Sequence, residues 1–468
     1  MTMFKTLFRS LGNRTSLVGA AITTASAVLI ITMFVLEQLG FIPNPYIGIV
    51  TYLILPAIFG AGLLLIPIGI VLHRRSLKRR VGVPLPTFPV IDLNRARTRA
   101  VAVVVLLLTV VNIVIISTAT VKGVHVMDST EFCGSCHSVM EPEYTAYQRS
   151  PHARVKCVTC HIGPGADWFV KSKLSGSWQV VATALDLYPR PIPTPVHSLR
   201  PARDTCEQCH WPSKFVGDRL KRITRFDTDE KNTELTTMLL LRVGGTQGAN
   251  SHGIHWHVDP GITVRYLADA KRQTIYEVEL MRADGSVKRF RGPEPPPDGT
   301  ELEWRVMDCI DCHNRPTHIY GTPEDEISRA IVAGDIPRDL PFIVREGIRA
   351  LRTEYPSHEA ARAGIAEQIT SFYRENYPRL FESARDAIER AASALGDIYC
   401  RNVFPSMKVT WGTYPDNLGH ESSPGCFRCH DDEHATEDGE TISGDCDLCH
   451  AVLAMEEENP EILAALQP

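Results

Sequence analysis

Twelve of the chain's thirteen cysteines fall in six copies of one pattern, Cys-x-x-Cys followed at once by histidine. No other feature restricts the fold so tightly. The copies are Cys133, Cys136 and His137; Cys157, Cys160 and His161; Cys206, Cys209 and His210; Cys309, Cys312 and His313; Cys426, Cys429 and His430; and Cys446, Cys449 and His450. With 17 histidines in 468 residues, six chance placements after six pairs have odds on the order of one in a billion. Two thiols three positions apart on a short turn can add to the two vinyl groups of one haem, and the adjacent histidine then reaches the iron. The pattern therefore reads as c-type haem attachment, and six covalent haems are expected. Structural zinc is the alternative, but it needs four ligands and no histidine directly after each pair. A redox disulfide is the other, and it belongs beside a βαβ pattern that the sequence lacks. Cys400 is left over, with a buried free thiol as its default reading.

The first 120 residues differ in kind. Apolar runs at 16–36, 48–72 and 100–118 each approach the roughly 20 residues needed to cross hydrocarbon as a helix. No small-residue cleavage site ends the first run and a second follows, so it does not read as a secretory signal. Lys5, Arg9 and Arg14 precede the first run, and the loop at 37–47 carries no Lys or Arg. The loop at 73–99 carries Arg74, Arg75, Lys78, Arg79, Arg80, Arg95, Arg97 and Arg99. The positive-inside rule keeps both basic segments cytoplasmic and sends everything after the third run outside. Haem attachment, an extracytoplasmic process, asks for the same topology. The expected location is a bacterial inner membrane, with a cytoplasmic N-terminus and a periplasmic haem domain.

Residues 1–120 hold 11 basic and 2 acidic side chains, leaving 38 and 52 for 121–468, a balance near −14. Residues 431–468 alone hold twelve acids and no Lys or Arg. The plain reading is a solvated tail. The sharper one is a docking face for a cationic partner such as a periplasmic cytochrome, since opposed potentials raise encounter rates. Nucleic acid is not expected as a partner.

The fold class expected is a membrane-anchored multihaem cytochrome: three transmembrane helices, then a mostly α and irregular haem-packed domain with a small β insert. The segments are an anchor at 1–120, a three-haem module at 121–215, a β insert with the fourth haem at 216–321, a helical spacer at 322–404 and a two-haem module with an acidic tail at 405–468. Within the insert, Tyr276, Val278 and Leu280 alternate with Glu277 and Glu279, and Asp284-Gly285 marks a hairpin turn. Regular structure looks sparse elsewhere in 121–260. Thr322-Pro323 with Asp325 reads as a helix start. Ala361, Ile365, Ile369 and Phe372 mark one helical stripe, and Phe381, Ala384, Ile388, Ala391, Leu395 and Ile398 a second, longer one. The helices are expected to carry the last two haems away from the first four.

Each iron needs a second axial ligand or stays open. His152, His197, His318, His420 and His434 rank highest, because each lies in a short polar or Pro-containing stretch near a motif. HGIHWH at 252–257 is expected to supply one more, His255. Surface or hydrogen-bonding roles are the ordinary alternative for each. That supply matches a mostly bis-histidine chain, whose saturated irons pass electrons and bind no substrate.

The stretch EFCGSCHSVMEPEYTAYQRSPHARVKCVTCHIGPGADWFVKSKLSG, following a membrane helix, resembles the NapC/NirT family of membrane-anchored multihaem quinol dehydrogenases. The likeness covers roughly residues 100–215. NRPTH, HGIHWHVDP and GCFRCHDDEH resemble the longer inner-membrane cytochromes of metal-respiring bacteria. The resemblance implies oxidation of membrane quinol, here menaquinol, and delivery of electrons to periplasmic acceptors. It also implies a methionine ligand on the first haem, a role that falls to Met140, three residues after His137 where the family places it two after. A lysine at the quinol site is implied as well, and Lys173 or Lys171 occupies that stretch. The family's acidic residue six or seven positions later is replaced by Ser177, Trp178 and Gln179, with Asp167 as the substitute.

The leading expectation is thus a quinol:cytochrome oxidoreductase that passes electrons from the membrane quinol pool to a periplasmic cytochrome or terminal reductase, in contact with inner-membrane lipid. A multihaem reductase of a small oxyanion and a non-catalytic relay subunit are the alternatives.

Overall fold

The computed structural model describes residues 13–39, 50–81, 93–135, 137–163, 165–196, 199–244 and 253–465. Two compact units result, Met1–Ser135 and Cys136–Pro468.

In the first unit, long apolar runs give α1 (Arg14–Gln38), α2 (Leu55–Val81, entered through a π turn at Val50–Ile54 and continuing through Pro67) and α3 (Ala96–Met127). All three are long and apolar enough to cross a membrane. Small residues let α1 and α2 approach closely. A Cβ on Gly19 would lie 2.8 Å from the Gly62 carbonyl oxygen, and the Ser16 hydroxyl donates to Ile66 O at 2.9 Å. Helix α3 overruns the expected 100–118 at both ends, and a short helix α4 (Thr130–Gly134), capped by Ser129, carries Cys133.

The second unit begins with α5 (His137–Gln148), α6 (Cys157–His161), α7 (Ala166–Ala184) and α8 (Ala202–Cys206). Strands β1 (Arg219–Phe226) and β2 (Glu234–Leu241) then form an antiparallel hairpin that the sequence reading lacked. Strand β2 is a run of apolar residues without alternation, and β1 is largely basic. Neither shows the period of two that marks a half-buried strand.

The expected insert is a second antiparallel sheet, ordered β5–β4–β3–β6, from β3 (Ile262–Asp269), β4 (Ile275–Arg282), β5 (Val287–Arg291) and β6 (Leu302–Val306). Val264, Tyr266 and Ala268 bury one face against Val278, Leu280 and Phe290. Gly285 takes φ 82° in the β4–β5 turn, where its N–H donates to Arg282 O at 3.0 Å. A short helix α9 (Cys309–Cys312), capped by Asp308, carries the fourth motif.

A helical core follows: α10 (Pro323–Ala333), α11 (Ile343–Arg352), α12 (His358–Asn376), α13 (Pro378–Ser383) and α14 (Arg385–Asn402). Thr322 caps α10 by accepting from the Asp325 N–H at 3.2 Å. Ile365, Ile369, Ile388 and Leu395 are fully buried together. The longer stripe is two helices rather than one, because the chain breaks at Ala384. Cys400 sits half-buried on α14, its thiol 3.8 Å from His358 O.

Two buried polar groups bind this core to its surroundings. Asn232, in the β1–β2 turn at φ 49°, donates to Arg338 O and Leu340 O and accepts from Val344 N. Glu326 on α10 is 1% exposed and meets Arg149 at 2.9 Å, Arg401 at 2.7 Å and Arg329 at 2.6 Å. Burial alone would raise its pKa, but the three guanidiniums hold it below the usual carboxylate range. Glu326→Gln is expected to lower stability by about 2–3 kcal/mol, less than for a fully buried pair because the arginines reach solvent. The depressed pKa means that wild type keeps this contribution at neutral pH and loses it only as pH falls through and below the ordinary carboxylate range. Denaturant midpoints of both proteins across pH check this.

The helices do not hold the last motifs apart from the fourth. Arg428, within the fifth motif, donates Nη2 to Asp311 O in the fourth at 2.7 Å. Strand β7 (His450–Glu457), continuous with the sixth motif, pairs with β2, giving the order β1–β2–β7. A short helix α15 (Glu461–Ala465) follows.

Candidate haem-binding site

Each of the last five motifs begins on a short helical turn: α6 holds the whole second motif, α8 ends at Cys206 of the third, α9 carries both cysteines of the fourth, and 3₁₀ turns at Gly425–Arg428 and Cys446–Leu448 carry the first cysteines of the fifth and sixth. Cys133, Cys157, Cys160, Cys206, Cys209, Cys309, Cys312, Cys426, Cys429, Cys446 and Cys449 are all free thiols. Among the described residues no cluster of three or more His, Cys, Asp or Glu is placed to hold a metal ion.

The histidines tell more. Two imidazoles ligating opposite sides of one metal, each nitrogen about 2 Å away, place their ring centres roughly 6 Å apart. Five motif histidines meet a second histidine at that spacing. His161 lies 6.2 Å from His318 and His210 lies 6.0 Å from His152. His313 lies 6.3 Å from His255, His430 lies 5.8 Å from His257 and His450 lies 6.1 Å from His420. The partners are brought together from far apart in the chain.

Ring hydrogen bonds orient them. His152 donates Nδ1 to Pro316 O at 3.1 Å and His318 donates Nδ1 to Glu143 O at 2.9 Å. His255 donates to Val243 O and His257 to Ile254 O, each through Nδ1 at 2.7 Å. A carbonyl only accepts, so Nδ1 carries the proton in each ring and the Nε2 lone pair stays free for a metal. Burial, then the charge of His318, lowers the pKa of His161 to about 4, although its surface stays accessible to solvent. Burial first also lowers His257 and His313. Neutral imidazole is the ligating form.

His434 is not brought to a motif histidine. It is buried, with Nδ1 2.8 Å from Asp431 Oδ2 and Nε2 3.1 Å from Ile275 O, so both ring nitrogens are engaged. The fifth motif's His430 is faced instead by His257, a residue of HGIHWH that was not singled out beside His255. Residues two apart in the 3₁₀ turn Ile254–Val258 point about 120° per residue apart, so His255 and His257 serve different sides of the turn. That spacing, with a tryptophan between, was the available signal. His358 spends its Nε2 on Val403 O at 2.7 Å.

The first motif is less complete. His197 and Cys136 lie outside the described residues, and the His137 side chain is not described. Met140 is half-buried on α5, and positions 137 and 140 share one helix face.

Helix α7 carries Lys171 and Lys173. Val170, Leu174, Trp178, Val181 and Leu185 form an exposed stripe along α7 and the residue after it, and the two lysines lie on its opposite flanks. Lys171 Nζ sits 4.8 Å above the Trp168 ring and Lys173 Nζ 4.9 Å above Phe169. Asp167 is exposed in the first turn of the same helix.

The residues fit covalent haem. The histidine pairs stand at the spacing that an intervening iron needs, and Arg315 Nη2 and Arg272 Nε are buried donors without a hydrogen-bond partner. Haem carboxylates would supply such donors with acceptors.

Three membrane-length helices joined to motif histidines faced by second histidines define a membrane-anchored multihaem c-type cytochrome. Residues 95–190 match the NapC/NirT cytochrome c family, N-terminal region. The cytochrome c-type protein ImcH of Geobacter sulfurreducens is 43% identical over 465 residues, covering 98% of this chain and 91% of that protein. The cytochrome c-type proteins TorC of Escherichia coli K12 and O157:H7 are 42% identical over 67 residues, 13% of this chain and 17% of theirs. No solved structure matches. The chain belongs to the NapC/NirT cytochrome c family and is an electron-transfer protein anchored in the inner membrane.

Proposed function

We propose that this protein is a quinol dehydrogenase that takes electrons from menaquinol and passes them through six c-type haems to a periplasmic cytochrome or terminal reductase. The observation that carries the reading is the set of five histidine pairs. Irons filled on both sides relay electrons and leave no position for an oxyanion, which argues against the reductase alternative. In this reading His152, His255, His257, His318 and His420 are the distal ligands, and His434 is not one of them. On the first haem the thioether of Met140 would raise the potential relative to histidine. When bound, the haems supply one-electron carriers at successive positions.

Support for quinol as the donor comes from α7, which lies within the family-matched stretch. Its exposed apolar stripe suits a bilayer surface where quinol arrives, and Lys173 or Lys171 would hydrogen-bond the quinol oxygen as two protons leave. Asp167 is the acid available on that helix to receive one. At the other end, twelve acidic residues in 431–468 and the exposed Cys446 suit delivery to a cationic acceptor. The N-terminus is cytoplasmic and the haem domain periplasmic in this reading.

The test is anaerobic mixing of the haem-loaded protein with a menaquinol analogue, followed by nitrite on the oxidised protein. Rapid haem reduction and no nitrite-induced spectral shift are expected. Reduction by dithionite but by no quinol would reassign the chain as a relay fed by another subunit.

A further inference from the structure

The motifs are not strung evenly. Cys160 lies within electrostatic reach of Cys206 and Cys209, and the Cys206 thiol is in hydrogen-bond range of Cys309. Ala202 N, at the start of α8, donates to Asp308 Oδ2 at 2.8 Å, which ties the third motif to the cap of the fourth. Up to that point the second, third and fourth motifs follow one another in chain order.

Beyond the fourth motif the arrangement changes. His255 and His257, on one 3₁₀ turn, face His313 of the fourth motif and His430 of the fifth. Arg428 and Asn417 both donate to Asp311 O, at 2.7 and 3.3 Å, which stitches the fifth motif to the fourth. The sixth motif reaches the same turn from the other side. Arg242 N donates to Cys449 O at 2.8 Å, Arg242 O accepts from Ile254 N at 2.8 Å, and the next carbonyl, Val243 O, holds His255. One cysteine from each motif, Cys312, Cys426 and Cys449, lies within electrostatic reach of the other two.

We propose that the haem attached at Cys309 and Cys312 is a three-way junction, adjoining the haems of both the fifth and the sixth motifs, so that electrons leave by two outlets. Each motif fixes one edge of its haem, so the hydrogen bonds that join the fifth motif to the fourth, and the sixth to the turn facing the fourth, bring three haems to one place. A linear wire would show the fourth motif beside only one of the last two. Both outlets present apolar surface to solvent, Phe427 in the fifth motif at 43% exposure and Leu448 in the sixth at 47%. A docked acceptor at either would stand next to a haem. The proposal rests on haem attachment at these three motifs and not on quinol as the donor.

The test is electron paramagnetic resonance of the full-length, oxidised, haem-loaded protein, with haem number checked by mass. His255→Met identifies the signal of the fourth-motif haem. That signal should be broadened by its neighbours in wild type. It should sharpen when the fifth haem is removed by Cys426→Ala with Cys429→Ala, and also when the sixth is removed by Cys446→Ala with Cys449→Ala. Sharpening in only one of the two means a linear chain and overturns the junction. If a double variant does not fold, stepwise reduction of wild type answers the same question. Two separate sharpening steps as the fifth and sixth haems become diamagnetic support the junction, and a single step overturns it. A mass lacking these haems would instead count against the haem assignment itself.

Discussion

Lys173→Ala is expected to slow haem reduction by a menaquinol analogue about 10- to 100-fold, with reduction by dithionite unchanged. A positioned group that assists proton transfer contributes typically 10²–10⁴-fold, and a lysine at a helix surface belongs at the lower end. Lys173→Arg keeps a cation but loses the compact ammonium geometry, so it should recover part of the rate. Lys171 stands on the other flank of the apolar stripe and stacks on Trp168. Both lysines cannot meet one quinol, so Lys171→Ala should change the rate less than threefold if Lys173 is the donor contact. Stopped-flow measurement on the three variants decides between them. Equal, full rates in all of them would move quinol oxidation away from α7.

His257→Gly is expected to turn one haem from low spin to high spin, with a new absorption near the high-spin charge-transfer band that shifts when imidazole is added. His434→Ala should leave every haem low spin. His257 offers a free Nε2 opposite His430, whereas His434 has given Nδ1 to Asp431 and Nε2 to Ile275 O. His434 instead joins the acidic segment to the β insert, so its loss should appear as reduced stability of about 1–2 kcal/mol through unpaired buried partners. Absorption and magnetic circular dichroism of the two variants separate the roles. A high-spin haem in His434→Ala and none in His257→Gly would reverse the assignment.

The motifs themselves were legible because haem attachment is local chemistry, confined to five consecutive residues. The membrane helices were legible for a similar reason: length and hydropathy along one segment decide them. Distal ligands are another matter. His152 faces the third motif and His318 the second, a crossing that no spacing rule contains because the fold decides it. Proximity in sequence even misled, as HDDEH placed His434 beside a motif while Asp431 three residues away captured its ring. Helices α10 and α12 could be read from caps and stripes, and the β4–β5 hairpin from alternation and Asp284-Gly285. Strands β1, β2 and β7 could not, since β1 and β2 lack a period of two, and β7 hides within an acidic tail far from the strand it pairs with. The notion of a spacer failed for the same reason: distance along a chain says little about distance in space.

The order β1–β2–β7 also bears on biogenesis. A polypeptide is made and exported from its N-terminus, so β2 emerges long before the residues that will cover its outer edge. Until His450–Glu457 arrives, Leu239, Leu240 and Leu241 present unpaired backbone on an apolar strand, the kind of edge that proteases and aggregation exploit. Because His450 itself pairs with Leu241, the segment that closes the sheet is the segment that receives haem at the sixth motif. The last strand to pair is thus also the one that begins in the sixth motif, so a chain halted before it would leave both the sheet edge open and that motif unmade.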